Sequence, residues 1–435
     1  MVIMSETLKR DAEYLSPALG RAFDLVAVKG EGSFLYGEDG KKYLDLTSGI
    51  AVNQLGHCHP EVVEAIAKQA ASCIHTSCVV HYPANIDLAE KIASITPGDL
   101  NNTFFCNSGA EAVDGSIKFA KKLKPGRTNF IAFKGAFHGR SLGATAFTSS
   151  KSAYRKFYDP LIPGIHHLSF PNIYEAKTQE ARDKLVEHHE KIFLSYFDTV
   201  VHPESVAAII IEPMQGEGGY IPAPGLDGSK NYLQFLRDFC DKHEILLIFD
   251  EVQSGIARTG KWFASNHYGV VPDVQLMAKG LSGGLPLGAF SSRKELMYEM
   301  PPGSHGTTFG GNPISCRAAL KLLEIIERDN VMDNVNARSE QVFKFFESKF
   351  PGSDSRKPRE DLNDKIKVRG LGLMIALVFP DAETVTKVKN YAYDKGVLLL
   401  GCGTYGNIIR LAPDLTITAE NLQQGLDIIA EAIAK

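Results

Sequence analysis

Short apolar runs rich in β-branched residues recur along this chain, interleaved with longer amphipathic stretches. The runs are Thr103–Cys106, Asn129–Phe133, Val206–Ile211, Ile245–Phe249 and Val274–Ala278; the amphipathic stretches are Glu61–Cys73, Ala84–Ile95, Ala110–Lys121 and Tyr232–His243. A strand that is apolar on both faces must be covered on both faces. Strands alternating with helices therefore predict an α/β fold, with a mainly parallel sheet flanked by helices. Ligands of such sheets bind beyond the C-terminal ends of the strands, so the residues just after each run hold the most information.

The flanks read differently. Gly32–Asp45 alternates around Glu38-Asp39-Gly40, a hairpin signal. Ser353–Asp364 is polar and reads as a surface loop, followed by Lys367–Phe379, a helical Ala382–Lys395, Val397–Leu400 and a terminal helix Ala419–Lys435. These features predict a large domain over 61–320, a smaller α+β domain over 321–435, and an N-terminal segment, 1–60, packing with the latter. No repeat or low-complexity tract interrupts them.

Composition narrows the function classes. With 44% hydrophobic and 23% charged residues in 435, the chain is neither disordered nor fibrous. A net charge of −4 gives no electrostatic case for nucleic acid or an anionic membrane, so any anionic substrate must be held by local arginines. Val206–Ile211 and Ile245–Phe249 are too short to span a bilayer. Seven scattered cysteines without a C-x-x-C pair, and an N-terminus without an apolar leader, predict a reduced, cytoplasmic protein.

Three strand ends carry chemistry. Ile245–Phe249 runs into Asp250-Glu251, and Gly255-Ile256-Ala257-Arg258-Thr259-Gly260-Lys261 nearby imitates a nucleotide-binding loop. That loop needs Ser or Thr next, to hold Mg²⁺, and Trp262 stands there instead. An ATPase reading therefore fails, while Glu251 taken alone reads equally as a cap of the following turn. Ser108-Gly109-Ala110-Glu111 opens a helix directly after a strand. It is either an anion cradle or a plain Ser cap with an acidic first turn. Lys279 follows an apolar run and enters Gly280-Leu281-Ser282-Gly283-Gly284. A lone lysine there is more often snorkelling than reactive. His57-Cys58-His59 offers two histidines on one face but no third metal ligand nearby. Taken together, an anion cradle, a strand-end carboxylate and a strand-end lysine are what pyridoxal 5′-phosphate requires: a phosphate site, a partner for the ring nitrogen and an amine for the aldehyde.

The sequence closely resembles the class III aminotransferases, the ω-aminotransferase subgroup of fold-type I pyridoxal-phosphate enzymes. The likeness runs nearly end to end. It rests on Asn107-Ser108-Gly109-Ala110-Glu111-Ala112, Ala136-Phe137-His138-Gly139-Arg140, Glu212-Pro213-Met214-Gln215-Gly216-Glu217-Gly218-Gly219, Asp250-Glu251-Val252-Gln253-Ser254-Gly255, Ala278-Lys279-Gly280 and Gly306-Thr307-Thr308-Phe309-Gly310-Gly311-Asn312-Pro313. The resemblance implies that Lys279 holds the cofactor covalently and shuttles the substrate proton, and that Asp250 pairs with the ring nitrogen. It implies that Phe137 and Val252 cover the two ring faces, that Gln253 reaches the ring oxygen, and that Ser108, Gly109 and Ala110 bind phosphate. His138 and Glu212 join the cofactor-binding set. Thr308 is implied to reach the phosphate site of the other subunit of a homodimer with shared active sites, which could pair further into a tetramer.

The same resemblance implies a substrate site made of Ile50, Arg140, Glu217 and Arg410, in which the arginines clamp carboxylates and Glu217 neutralises Arg410 when no α-carboxylate is present. Gly396–Leu411 and Ile50 are most similar to the 4-aminobutyrate aminotransferase branch, whereas Leu55-Gly56-His57-Cys58-His59-Pro60 is similar to acetylornithine and ornithine enzymes. Thr308–Pro313 and Pro222–Pro224 also fit relatives that include amino-acid racemases. The expected reaction moves an amino group from a small-molecule amino donor, 4-aminobutyrate first, to a 2-oxo acid, 2-oxoglutarate. Acetylornithine or ornithine transamination, racemisation and a non-catalytic scaffold are the alternatives.

Overall fold

The computed structural model describes residues 5–435; Met1–Met4, the first residues of the segment read above as leaderless, lie outside the described residues. The chain opens with an antiparallel meander, β1 (Ala27–Glu31), β2 (Phe34–Gly37) and β3 (Lys42–Asp45). Its hairpin sits where the sequence placed it. Asp39 Oδ1 accepts from the Lys41 N–H at 3.0 Å, and Gly40 takes the positive φ that the turn requires.

The centre is a seven-stranded sheet. It is built from β4 (Asn102–Cys106), β5 (Asn129–Phe133), β6 (Ile165–Leu168), β7 (Val206–Ile211), β10 (Leu246–Asp250), β11 (Val274–Met277) and β12 (Gly288–Ser292), in the order β4-β12-β11-β10-β7-β5-β6. A two-stranded ribbon, β8 (Met214–Gln215) and β9 (Ile221–Pro222), projects after β7. Pairing is parallel except at β12, which runs antiparallel to both neighbours. Every residue of β7, β10, β11 and β12 is buried, which explains the apolar runs of β7 and β10. The helices Pro60–Ser72, Pro83–Ile95, Gly109–Leu123 and Tyr232–His243 fall within two residues of their expected bounds. Three long ones, Gln179–Thr199, Pro313–Arg328 and Val331–Lys349, were not anticipated. Pro313–Arg328 packs against both Pro60–Ser72 and Pro83–Ile95.

A second sheet follows, of β13 (Lys367–Leu371), β14 (Met374–Val378), β16 (Leu400–Cys402) and β17 (Ile408–Leu411), all antiparallel. The expected strand Val397–Leu400 divides. Its first two residues form β15 (Val397–Leu398), which leaves this sheet and pairs in parallel with β3, Val397 opposite Leu44. The expected surface loop Ser353–Asp364 is partly interior: Ser353 and Ser355 are buried, and Arg182 donates to the carbonyls of Ser355 and Arg356 at 2.9 Å.

One side chain ties distant segments together. Arg258, fully buried, donates through Nη1 to the carbonyls of Leu373 (3.1 Å) and Pro413 (2.5 Å) and through Nη2 to Ser48 Oγ (3.4 Å) and Gln54 Oε1. The stretch that imitated a nucleotide-binding loop is therefore a structural junction.

Candidate active site

Strand β10 delivers Asp250 to its C-terminal end, buried. Its Oδ1 accepts from the Val252 N–H at 3.0 Å, and its Oδ2 takes a hydrogen bond from His138 Nδ1 at 2.7 Å. Burial alone would lower the His138 imidazolium, but the hydrogen bond and charge of Asp250 outweigh it and the net shift is upward. Glu212, at the end of β7, accepts from the N–H groups of Phe137 (2.9 Å) and Gly216 (2.8 Å). Burial pushes its carboxyl up to about 7, with His138 opposing and the charge of Asp250 adding to the rise. Glu251, next to Asp250 in the sequence, is a cap: it accepts from the N–H groups of Ala264 (2.5 Å) and Ser265 (2.9 Å).

The cap reading of Ser108 is seen directly. Its Oγ accepts from the Glu111 N–H at 3.2 Å, and Glu111 returns to the Asn107 N–H at 2.6 Å, a reciprocal cap. That leaves the N–H groups of Gly109 and Ala110, which have no acceptor within the helix, at its positive end. The approach is close: a Cβ on Gly109 would stand 2.8 Å from Val252 Cγ1, and one on Gly139, at φ 136°, 2.7 Å from Ala110 Cβ.

Lys279 does not end a strand. Strand β11 stops at Met277, and Lys279 begins a single 3₁₀ turn at φ 40°. It is half-buried, and desolvation lowers its basicity, with Glu217 opposing and Arg410 reinforcing.

These pieces converge. Ser108, Gly109, Ala110, Phe137 and His138 share one cavity of about 340 Å³ with Glu212, Asp250, Val252, Gln253 and Lys279. Gln253 Oε1 accepts from the Tyr220 hydroxyl at 2.8 Å, which leaves its amide nitrogen to donate. Val52, Gly139 and Leu285–Leu287 complete the wall. Sequence reasoning had not singled out these residues, because apolar wall residues carry no chemical signature.

The expected substrate residues lie outside that lining. Arg410, on β17 and 6% exposed, donates through Nη1 to Glu217 Oε1, and the Glu217 carbonyl accepts from the Gly403 N–H at 2.9 Å. Burial raises the Glu217 carboxyl, but Arg410 and Lys279 outweigh it and hold it below the ordinary range. Arg410 is raised correspondingly, its burial overcome by the charge of Glu217. Arg140 is exposed and makes no hydrogen bond or ion pair among the described residues; its guanidinium lies 3.9 Å from the ring centre of Tyr154 and 5.7 Å from that of Phe137. Thr308 is exposed and away from the cavity.

Ile50 occupies an unusual place. Ser48, Gly49, Ile50 and Ala51 have φ of 42°, 65°, 69° and 59°, one turn of left-handed backbone in which three residues carry a Cβ. Asp45 secures it: Oδ1 accepts from Thr47 N–H (2.9 Å), Thr47 Oγ1 (2.6 Å) and Ser48 N–H (3.1 Å), while Oδ2 bonds His57 Nε2 at 2.9 Å. His57 is thereby accounted for. Ala51 is buried against a cluster holding Tyr220 and Cys402, Val52 reaches the cavity, and Ile50 is 43% exposed.

A half-buried amine of lowered basicity and a buried carboxylate line one cavity with a helix N-terminus that has no room for a Cβ. That donor set fits pyridoxal 5′-phosphate and defines a pyridoxal-phosphate-dependent enzyme. Comparison with known proteins agrees. The profile of the family described as Aminotransferase class-III matches residues 16–433. The chain is 36% identical to a probable 4-aminobutyrate aminotransferase of Bacillus subtilis, covering 97% of this chain and 95% of that one. It is 40% identical to an acetylornithine aminotransferase of Methanocaldococcus jannaschii, covering 94% of each. Among solved structures, an amine transaminase from an uncultivated Pseudomonas species in its pyridoxal-phosphate-bound form superposes with a TM-score of 0.83 at 29% identity, covering 94% of each chain. This chain belongs to the class III aminotransferase family. Its cofactor is pyridoxal 5′-phosphate, and its substrates are a small-molecule amino donor and a keto-acid acceptor. No helix among the described residues is long and apolar enough to cross a membrane.

Proposed function

We propose that this transaminase moves the amino group of an ω-amino acid, 4-aminobutyrate first, to 2-oxoglutarate. The observation that carries this reading is the contrast between the two arginines: Arg410 is closed by Glu217, whereas Arg140 has no carboxylate partner among the described residues. A donor whose only carboxylate lies far from its amine needs one free arginine, and glutamate needs two. Opening the Glu217–Arg410 pair converts the site from the first state to the second.

When bound, pyridoxal 5′-phosphate supplies an electron sink at the amine-bearing carbon. Lys279 would hold it covalently and, as an amine of lowered basicity, take and return the proton at the substrate carbon. Asp250, oriented by His138 and the Val252 N–H, would keep the ring nitrogen protonated. Ser108, Gly109 and Ala110 would take the phosphate, Phe137 and Val252 the ring faces, and the Gln253 amide the ring oxygen. Glu212 would fix the Phe137 backbone from below. Ile50 would border the substrate on its left-handed turn.

A homodimer, whose Thr308 completes the partner's phosphate site, is part of the reading. Phe309, 59% exposed and stacked on His75, together with the exposed Ile74, Val79 and Val80 of the segment around His75, supports this. The domain division given above is kept, supported by the separate sheets of 102–292 and 367–411. A cytoplasmic location rests on seven unpaired cysteines.

A second reading, acetylornithine or ornithine as donor, is favoured by the 40% identity to the Methanocaldococcus jannaschii relative. The deciding experiment is a panel of 4-aminobutyrate, acetylornithine and ornithine with 2-oxoglutarate, beside a chiral assay without keto acid. The 4-aminobutyrate reading expects the highest kcat/KM for that donor and no racemisation. A preference for acetylornithine, or turnover without keto acid, would replace it.

A further inference from the structure

Arg140 poses a physical problem. A long, exposed side chain with no hydrogen bond has many rotamers, and a carboxylate-binding fork is effective only if it is held in place before the ligand arrives. Among the described residues the group that holds it most closely is the Tyr154 ring, 3.9 Å from the guanidinium centre, the distance of a stacked cation–π contact, with the Phe137 ring farther off at 5.7 Å. Tyr154 is itself well fixed. It closes the Ser152–Tyr154 turn, and its ring stands edge-on to Phe137, with centres 5.7 Å apart at 79°. The next residue, Arg155, anchors that turn by donating to the carbonyls of Ala146 and Thr148 at 3.1 Å, and Thr148 Oγ1 accepts from the His138 N–H at 2.9 Å. A rigid path thus runs from the cofactor cavity through Phe137 to Tyr154 and outward to Arg140.

We propose that Tyr154 is a positioning residue that aligns Arg140 for the distal carboxylate, and so sets the preference for carboxylate-bearing donors over simple amines. This rests on the ω-amino-acid reading, because it takes Arg140 as the carboxylate clamp. A guanidinium stacked on an aromatic face keeps its edge N–H groups free, and those are the donors that pair with both oxygens of a carboxylate. The Tyr154 hydroxyl feels the charges of Glu217 and Arg410 as well as that of Arg140. Burial and the charge of Glu217 raise it above the ordinary phenol range, against the pull of both arginines, so it is neutral at working pH and adds no competing anion beside Arg140.

The test compares 4-aminobutyrate with 1-aminobutane, which has the same carbon chain and no carboxylate, in holoenzyme carrying Tyr154→Leu, Tyr154→Phe or Arg140→Ala. Tyr154→Leu is expected to raise KM for 4-aminobutyrate about tenfold with kcat nearly unchanged. It should leave 1-aminobutane kinetics and the cofactor absorbance band as they were. Tyr154→Phe, which keeps the ring, should stay close to the parent enzyme. If Tyr154→Leu fails to fold, Tyr154→Met removes the ring at similar length and is read the same way. An unchanged KM for 4-aminobutyrate in the ring-less variant, with a raised one in Arg140→Ala, overturns the role of Tyr154 and leaves the donor reading intact. If Arg140→Ala itself leaves the carboxylate preference unchanged, the clamp and the proposal built on it both fall. Equal losses on both donors would also overturn it, since that is what a merely structural residue produces.

Discussion

At the scale of single residues, the groups with distinctive chemistry were legible in the sequence and their states were not. Lys279 and Asp250 announced themselves by ending apolar runs, yet only the packing gives Lys279 its lowered basicity. Lys279→Ala should leave a folded protein that still binds cofactor and should cost at least about a thousandfold in kcat, because the covalent and proton-shuttling roles vanish together. Steady-state transamination by the purified variant measures this, and near-normal turnover would reassign the site. Glu217 and Arg410 lie nearly two hundred residues apart, and nothing local in either segment declares their pairing. Glu217→Ala should slow the half-reaction with 4-aminobutyrate more than that with glutamate, since a freed Arg410 competes for the donor carboxylate. Arg410→Ala should do the reverse, at about 2–5 kcal/mol. Stopped-flow absorbance on the separate half-reactions distinguishes the two patterns. The pH dependence has a fixed sign. The Glu217 carboxyl in the fold lies below its unfolded value of 4.5, so the stabilisation from the pair is fully present above pH 4.5 and is lost as pH falls through the lower folded value. The ratio of the two half-reaction rates should therefore stay level across the neutral range and change only in acid.

At the scale of elements, periodicity located the buried strands and their helices, and missed whatever was short, polar or unusually wound. Strand β12 reads Gly-Ala-Phe-Ser-Ser, with too few apolar residues to stand out, although sheet neighbours on both sides bury it completely. The left-handed turn at Ser48–Ala51 escaped because only one of its residues is glycine; the turn exists because Asp45 collects the N–H groups that it turns inward. Asp45→Ala removes that acceptor and the His57 bond together and should lower stability by about 2–3 kcal/mol, seen as a fall in the thermal midpoint. It should also raise KM for the donor, since Ile50 would lose its fixed place. The helix N-terminus offers a sharper test. Gly109→Ala drives a methyl group into Val252, so cofactor affinity should fall by about tenfold or more in a fluorescence titration. Val252→Ala in the same chain makes room and should recover most of the loss. If the double variant is no better than the single one, the close approach is not what sets affinity.

At the scale of the whole molecule, the α/β architecture followed from the alternation of runs, while the links between distant segments had no local trace. Arg258 looked like part of a failed phosphate loop, and its partners Ser48, Gln54, Leu373 and Pro413 are assembled from three separate regions. Arg258→Ala would strand two buried carbonyls and the Gln54 amide. We expect a loss of about 3 kcal/mol and easier proteolytic nicking within the N-terminal meander, both measurable on the purified variant. The meander's other tether is β15, whose Val397 lies opposite Leu44 of β3. On the ribosome, β3 emerges first and its partner follows only after most of the chain has been made, a delay of roughly 20–70 s at about 5–20 residues per second. Until then the strand that leads into the Asp45 clasp has an open edge, a vacancy that a neighbouring nascent copy or a chaperone could fill. The last tenth of the chain to be synthesised thus covers the strand that leads into the Asp45 clasp near the chain's start.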